Sequence, residues 1–438
     1  MMFSRRSILA AGAALAAAPG ALAAARPGYV TAEGMGFRID GRPYRYAGSN
    51  MWYGAYLGAD APFGARDRLA RELDRLVETG VDNIRVLGSS EDSPLKNSIK
   101  PAFRNRGSDY NETLLKGLDL LLAEMGRRGM KAVIYLTNFW EWSGGMMTYL
   151  YWTNGGRYID NGDPSHPWPA FADFNADFYK SRVAVGMYHD YVRAVVGRTN
   201  TVTGAAYRDD PAIMAWQLAN EPRPGGSEKV GAPNLPTFYA WVRDTARLIK
   251  SIDPNHLVST GSEGLQGCLS MAECVETEHQ PPIDYVTTHI WPQNWGWVDP
   301  KRIAQTHANA TAKVAEYIDG HLAIARRMNK PLVIEEFGYP RDDASFEPGS
   351  PTTFRDRYYG QIYAAVLQHA VRGPLAGSNF WAWNGEGRAQ HAEKQFRPGD
   401  LSYLGDPPHE PQGWYGVFDV DASTRALIRD HARALKAL

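Results

Sequence analysis

Two hydrophobic patterns alternate along the chain from residue 46 towards the C-terminus. Short, almost continuous apolar runs are typical of strands buried on both faces, and apolar residues three or four positions apart are typical of amphipathic helices. The apolar runs occupy residues 46–50, 83–87, 131–137, 213–218, 256–260, 285–289, 332–336 and 378–383. Helical spacing occupies residues 66–78, 113–128, 178–196, 238–252, 303–328, 354–371 and 424–435. Eight strands alternating with helices predict an α/β fold, a single (β/α)8 barrel.

The segments outside this alternation predict loops and a small N-terminal addition. Residues 37–46 have the pattern of a β-hairpin with its turn at Asp40-Gly41. Three segments rich in glycine, proline and aromatic residues, 138–173, 263–283 and 384–412, predict long βα loops. No internal repeat or linker-like stretch is present, so residues 26–438 are expected to form one domain.

The N-terminus has the pattern of an export signal. Arg5 and Arg6 precede an alanine-rich run that ends in small residues near Ala25. The paired arginines indicate the twin-arginine route, so residues 1–25 are expected to be cleaved and the mature chain to be periplasmic or secreted. The alternative, a membrane anchor, is disfavoured because Pro19 and Gly20 interrupt the run and alanine is barely apolar enough to span a bilayer.

Composition excludes several classes of function. The net charge is −1, from 47 basic and 48 acidic residues, whereas a nucleic-acid binder needs a basic excess. Neither a metal-binding His-Glu-x-x-His motif nor a glycine-rich phosphate loop occurs, so no metal ion or organic cofactor is expected. The two cysteines, Cys268 and Cys274, could form a small loop disulfide or remain free thiols.

Candidate chemistry lies where the predicted strands end, because active sites of this fold occupy the carboxyl ends of the strands. Polar and aromatic residues follow or interrupt the strands there: Trp52 and Tyr53, Arg85, Trp140 and Trp142, Asn220 and Glu221, His289, Glu335 and Glu336, and Trp381. Two carboxyl groups on opposite strands, among many of the 13 tryptophans, indicate cleavage of a glycosidic bond. Each residue also has a structural alternative, such as an ion pair between Arg85 and either glutamate.

The constellation resembles glycoside hydrolase family 5. Asn220-Glu221-Pro222 is similar to the acid/base motif of that family, and Glu336-Phe337-Gly338 is similar to its nucleophile motif. Arg85, His289 and Trp381 match supporting residues, and the neighbouring sequence most resembles the β-1,4-mannanase branch. One position departs from the pattern, because Trp291 stands where many members have a tyrosine near the nucleophile.

The resemblance implies double displacement with retention of configuration. Glu221 would be the acid/base and Glu336 the nucleophile, while Asn220 would bind the sugar 2-hydroxyl. Arg85 would hold Glu336 as a carboxylate, whose charge would raise the pKa of Glu221. His289 would join the polar network, and Trp381 would floor the sugar ring. Neighbouring subsites would use Trp52, Tyr53, Trp140, Trp142, Trp291 and Trp295.

These implications predict an endo-acting β-1,4-mannanase that cleaves mannan-type polysaccharides as a monomer. An exo-acting β-mannosidase or a β-1,4-glucanase are alternatives within the family. An exported sugar-binding protein without catalytic activity is the alternative from another class, and the presence of both glutamates counts against it.

Strand geometry distinguishes Glu335 from Glu336. Successive side chains of a strand point to opposite faces. Since the motif assigns Glu336 to the barrel interior, Glu335 is expected to point outward and to need a partner among the surrounding elements.

Overall fold

The computed structural model describes residues 27–438. The predicted export signal over residues 1–25 lies outside the described residues.

Eight parallel strands form the predicted barrel, which confirms the fold class. They are β4 (Tyr46–Asn50), β5 (Asn83–Leu87), β6 (Lys131–Tyr135), β7 (Ile213–Gln217), β8 (Leu257–Ser259), β9 (Val286–Ile290), β10 (Leu332–Phe337) and β11 (Leu375–Phe380). The sheet runs β8-β7-β6-β5-β4-β11-β10-β9. Its two edges meet through backbone hydrogen bonds from Asp284 N to Val258 O (2.8 Å) and from His289 N to Glu263 O (3.3 Å).

Eleven α-helices among the described residues accompany the strands. They are α1 (Gly54–Gly58), α2 (Arg66–Glu78), α3 (Glu112–Arg127), α4 (Gly145–Thr153), α5 (Ala170–Asn175), α6 (Arg182–Val196), α7 (Glu228–Ile252), α8 (Ala272–Glu278), α9 (Ile303–Met328), α10 (Thr353–His369) and α11 (Ala422–Lys436). Two strands and two helices have the predicted bounds, while β11 begins and ends three residues earlier than predicted. Pro374 precedes β11, and its carbonyl accepts a hydrogen bond from Leu332 N, which aligns the start of this strand with β10.

A three-stranded sheet closes the amino-terminal end of the barrel. Strands β1 (Val30–Glu33), β2 (Gly36–Ile39) and β3 (Arg42–Tyr44) are antiparallel. Asp40 (φ 51°) and Gly41 (φ 76°) make the turn of the predicted hairpin in the left-handed region. Phe37 on β2 is buried, and its ring packs edge-on against that of Tyr285 at 5.4 Å.

The three long loops contain short helices or strands and lie at the carboxyl ends of the barrel strands, opposite the three-stranded sheet. The loop after β6 contains α4 and α5, and the loop after β8 contains α8. The loop after β11 forms a short parallel pair, β12 (Trp383–Gly385) and β13 (Val417–Phe418). Cys268 and Cys274 form a disulfide in the loop after β8, which decides between the two alternatives left open by the sequence.

In the described part of the chain, no helix is both long and apolar enough to cross a membrane.

The hairpin contributes to stability from the end of the barrel remote from the predicted site. Replacing the 2 % exposed Phe37 with alanine leaves a cavity against Tyr46 and Tyr285. We expect Phe37→Ala to lower the free energy of unfolding by about 3–5 kcal/mol. Urea denaturation measures the change, and the exposed Arg42→Ala is the control, with an expected change within about 0.5 kcal/mol. Equal effects of the two variants would contradict the assigned role of the hairpin.

Candidate active site

A cavity of about 610 Å³ opens at the carboxyl ends of the barrel strands. Indole rings from three loops, those after β6, β9 and β11, form much of its wall: Trp140, Trp142, Trp168, Trp291, Trp295, Trp381 and Trp414. Its polar lining includes Asn220, Glu221, Arg223, Glu263, Glu336, His409 and Glu410. The combination of flat apolar rings with a few carboxyl and amide groups suits a polyhydroxylated, uncharged ring.

Glu221 and Glu336 face each other across the floor of this cavity. One oxygen of each carboxyl group lies within 4.8 Å of the other and of a His289 ring nitrogen. Glu221 has φ 52°, a strained value for a glutamate, at the turn where β7 ends. Its backbone N–H donates to Gly261 O at 2.8 Å, which fixes the turn against the next strand. The strain therefore places the carboxyl group above the barrel.

Arg85 organises the floor from the barrel interior. Its fully buried guanidinium donates to Glu336 Oε1 (2.5 Å), Asn220 Oδ1 (2.8 Å), Gln217 Oε1 (2.7 Å) and Asn50 Oδ1 (3.2 Å). Charge-assisted bonds of this kind are strong and directional. One side chain thus orients the Glu336 carboxylate and the Asn220 amide together.

His289 connects the two carboxyl groups. Its Nδ1 lies 2.6 Å from Glu221 Oε1 and 3.2 Å from Glu336 Oε2. Burial lowers the pKa of His289, but the charge of Glu336 and the bonds to the neighbouring glutamates outweigh it and raise the pKa well above its usual value. Burial raises the pKa of Glu221, but the bond and charge of His289 outweigh it and lower the net value.

These shifts favour a protonated His289 ring beside an ionised Glu221. The expectation of a raised pKa for Glu221 is wrong, because the hydrogen bond and the charge of His289 lower it. His289 Nδ1 and Glu221 Oε1 lie 2.6 Å apart, so their protonation is linked, and the two groups form the His289–Glu221 pair.

Glu335 does not point outward, and the prediction from strict alternation is wrong. The pairing of β10 with β9 shifts between Ile334 and Glu336, so Glu335 has no partner in the register. This irregularity turns both glutamates into the barrel. Glu335 accepts hydrogen bonds from Gln217 Nε2 at 2.6 Å and from the Tyr285 hydroxyl at 3.2 Å. The buried carboxylate lies below Glu336 and has the partners it needs.

The second oxygen of Glu221 faces the outer wall of the cavity. Trp140 Nε1 donates to Glu221 Oε2. The Arg223 guanidinium lies 5.1 Å from the Trp140 ring and 5.5 Å from that of Trp168, which is 53 % exposed at the rim. Two hydrogen bonds of 2.6 and 2.7 Å join the Arg223 guanidinium to the Glu263 carboxyl group. Burial raises the pKa of Glu263 to about 7.

Most of the predicted aromatic residues line the cavity, but Trp52 and Tyr53 do not. Both are buried in the described structure, at 1 % and 0 % exposure. Trp52 Nε1 donates to Gly405 O, and the Tyr53 hydroxyl donates to Trp383 O. The loop after β11 covers the end of β4 and makes both side chains part of the core. A sugar ring therefore cannot reach them.

Trp291, at the position where many family members have a tyrosine, packs against other aromatic rings. Its ring lies edge-on to Trp381 at 5.9 Å and against Tyr415 at 5.0 Å. Arg85 donates a hydrogen bond to the Glu336 carboxylate and His289 lies 3.2 Å from it, so these two cations hold the carboxylate in place of a phenol.

Sequence reasoning missed the cavity wall supplied by the loop after β11. His409 and Glu410 line the cavity there; Glu410 is buried and His409 is partly exposed. Burial and the charges of Asp406, Glu336 and Glu221 raise the pKa of Glu410 well above its usual value. Its Oε2 has no hydrogen-bond partner within residues 27–438. The sequence offered only one signal, two polar residues between the prolines Pro408 and Pro411.

Glu221, His289 and Glu336 are also the one group within residues 27–438 whose ligand atoms lie close enough together to bind a metal ion. The Arg85 guanidinium and the protonated imidazole already supply positive charge to these carboxylates, which opposes the binding of a further cation. The arrangement fits acid/base and nucleophilic chemistry between two carboxyl groups better than metal chemistry.

Known proteins resemble this chain over nearly its full length. Mannan endo-1,4-β-mannosidase 1 of Oryza sativa subsp. japonica is 30 % identical, over 94 % of this chain and 87 % of the relative. The glycoside hydrolase family 5 mannosidase from Rhizomucor miehei superposes with a TM-score of 0.85 at 34 % identity, over 94 % of this chain and 98 % of that one. The endo-1,4-β-mannanase of the same fungus shares the fold, with a TM-score of 0.67 and 21 % identity over 94 % and 100 % of the two chains.

A family model described as glycoside hydrolase family 5, β-mannosidase-like, matches residues 27–438. Together with the relatives, this match shows that the chain is a glycoside hydrolase that belongs to family 5.

Proposed function

We propose that this enzyme hydrolyses β-mannosidic bonds with retention of configuration, using Glu221 as the acid/base and Glu336 as the nucleophile. The carboxyl separation supports this proposal, because oxygens within 4.8 Å of each other match the short spacing of a retaining enzyme rather than the roughly 6.5–9.5 Å of an inverting one. The mannosyl specificity rests on the relatives, among them a Rhizomucor miehei mannosidase solved with mannosyl-fructose.

The first chemical step forms a covalent glycosyl-enzyme. Glu336 attacks the anomeric carbon with an electron pair of its carboxylate, and the bond to the glycosidic oxygen breaks. That oxygen takes a proton from Glu221, and His289, 2.6 Å away, can supply this proton to Glu221. Asn220, oriented by Arg85, is placed to bind the 2-hydroxyl of the sugar as charge develops on the ring.

The second step reverses the roles. Glu221 takes a proton from a water molecule while the water oxygen attacks the anomeric carbon, and the ester bond between the sugar and Glu336 breaks. The sugar leaves with its original anomeric configuration, and the proton returns to the His289–Glu221 pair. Burial of the floor strengthens every one of these electrostatic contacts.

The shape of the cavity supports exo action, the alternative to the endo action predicted from the sequence. Its lining comes from the loops after β6 to β11, and the loops after β4 and β5 are absent from it. Tyr403 packs on Trp52 at 6.1 Å, and Gly405 accepts the Trp52 indole N–H, so the loop after β11 covers that side. A cavity closed on one side accommodates the end of a chain rather than its middle.

The closed side offers polar groups to a terminal sugar. Burial raises the pKa of Glu410 well above its usual value, and the protonated carboxyl group can donate a hydrogen bond to a sugar hydroxyl. His409 lies beside it, with its Nε2 3.7 Å from Glu410 Oε1. On the open side, Trp168 and Arg223 form a rim that the leaving sugars would cross. Endo action remains the second candidate because the curated relatives are named mannan endo-1,4-β-mannosidases.

We also propose that the protein acts outside the cytoplasm, as its N-terminal pattern predicts. The disulfide between Cys268 and Cys274 supports this location, because such bonds persist in oxidising compartments.

Exo action predicts a single small product. With reduced mannohexaose we expect mannose as the first product on anion-exchange chromatography, and galactomannan viscosity should hardly fall while mannose accumulates. An endo enzyme would release mannobiose and mannotriose first and reduce viscosity rapidly. Cellohexaose in parallel tests the β-glucanase alternative, and Glu336→Gln supplies the inactive control.

The assigned roles predict distinct behaviour for the two glutamates. We expect Glu336→Gln to lose activity by about 10⁴-fold or more on every substrate while remaining folded. Glu221→Ala should lose about 10²–10⁴-fold on mannobiose but retain glycosylation by dinitrophenyl β-mannoside, whose leaving group needs no proton. Azide should then accelerate turnover and give a β-mannosyl azide by NMR.

The exposed Glu393→Gln is the matched control, since Glu393 pairs with Arg397 outside the cavity. An α-mannosyl azide, or full activity of Glu336→Gln, would contradict the mechanism.

A further inference from the structure

Glu335 is a buried charged residue that the proposed mechanism does not use. Its side chain is 1 % exposed, below the nucleophile and inside the barrel. Two partners, Gln217 and Tyr285, donate hydrogen bonds to it. Both partners donate to Oε1, and the amide oxygen of a glutamine could accept the same two bonds, so they do not explain why the position carries a charge.

The second nitrogen of His289 faces this charge. His289 Nε2 lies 3.8 Å from Glu335 Oε2, and it has no hydrogen-bond partner among the described residues. A neutral imidazole that keeps its proton on Nδ1 would direct a lone pair at the Glu335 carboxylate. An imidazolium, or a neutral ring with its proton on Nε2, directs an N–H at it instead. The position of Glu335 therefore favours a proton on Nε2, which leaves the contact between Nδ1 and Glu221 to hold the acid/base proton.

We propose that Glu335 is a positioning residue that retains the acid/base proton on the His289–Glu221 pair. The inference rests on the proposed function, because it takes Glu221 as the acid/base. Glu335 touches neither the cavity nor a substrate placed in it, and it acts through His289.

The balance of charges on the floor supports this role. Arg85 and protonated His289 supply two positive charges, and Glu335 and Glu336 supply two negative charges. These four charges cancel, so the floor including Glu221 is neutral when Glu221 carries a proton and negative when it does not. Removing the charge of Glu335 leaves an excess of positive charge when Glu221 is protonated, so the His289–Glu221 pair would release its protons at lower pH.

Other titratable groups surround the pair, and none of them takes the place of Glu335. The titratable groups that interact electrostatically with Glu221 are Arg223, Glu263, His409, Glu410 and Tyr135. Those that face Glu335 are Arg85, Tyr46 and Tyr285. Arg223 is paired with Glu263, and His409 has its pKa lowered to about 4 by burial. Among these groups, Glu335 is the one carboxylate directed at His289 Nε2.

The experiment is the pH dependence of kcat/KM for mannobiose in wild type and Glu335→Gln. Glutamine keeps the size of the side chain and an acceptor for Gln217, but it removes the charge. We expect the alkaline limb of the profile to move down by about one pH unit, which is a tenfold loss at a fixed pH above the limb. For dinitrophenyl β-mannoside, kcat/KM should change by less than about threefold, since its glycosylation step needs no proton from Glu221.

Two further variants separate the charge from packing. Glu335→Asp keeps the charge, and its alkaline limb should stay within about 0.3 units of wild type even if the rate falls. Tyr285→Phe removes one hydrogen bond to Glu335 without changing its charge, and its profile should also keep the wild-type limb. Thermal unfolding establishes that each variant is folded at the assay temperature.

The outcomes distinguish the two proposals. An unshifted alkaline limb in folded Glu335→Gln, or equal losses on both substrates, would overturn the role of Glu335 while the hydrolase function stands. A wild-type enzyme inactive on every β-mannoside would instead refute the proposed function.

Discussion

The fully buried guanidinium of Arg85 is the interaction on which the site depends. A charge inside a barrel costs several kcal/mol unless carboxylates and hydrogen bonds compensate it. Arg85 obtains them from Asn50, Gln217, Asn220 and Glu336, which belong to or follow β4, β7 and β10. Satisfying one cation thus determines how three strands present their side chains, and it places the Glu336 carboxylate below the cavity.

The remaining charges follow from this constraint. Glu336 and Glu335 both turn inward because β10 departs from regular pairing between Ile334 and Glu336. Two carboxylates on one floor favour a second cation, and His289 supplies it between Glu336 and Glu221. The imidazole lies 2.6 Å from Glu221, so the protonation of these two groups depends on the charge of the whole floor.

Several of these features were accessible from the sequence, and others were not. Arg85 and the glutamates could be identified because charged residues interrupt or end apolar runs. Gln217 is an uncharged polar residue within such a run, and it was not predicted as a site residue. The inward position of Glu335 depends on a local pairing irregularity that alternation cannot reveal. Trp52 and Tyr53 were wrongly predicted to line sugar subsites, because the loop after β11 covers them. The path of such a loop is set by tertiary packing, which the local sequence pattern does not reveal.

The central claim is that Glu336 forms a covalent bond to the sugar. The most direct measurement treats the enzyme with 2-deoxy-2-fluoro-β-mannosyl fluoride and maps the label by peptide mass spectrometry. The 2-fluoro group slows both chemical steps, and the anomeric fluoride is a good leaving group, so the glycosyl-enzyme accumulates. The account predicts one fluoromannosyl group per chain, attached to Glu336 and lost on addition of an acceptor sugar. A label on Glu335 or Glu221, or time-dependent inactivation without a covalent label, would contradict it.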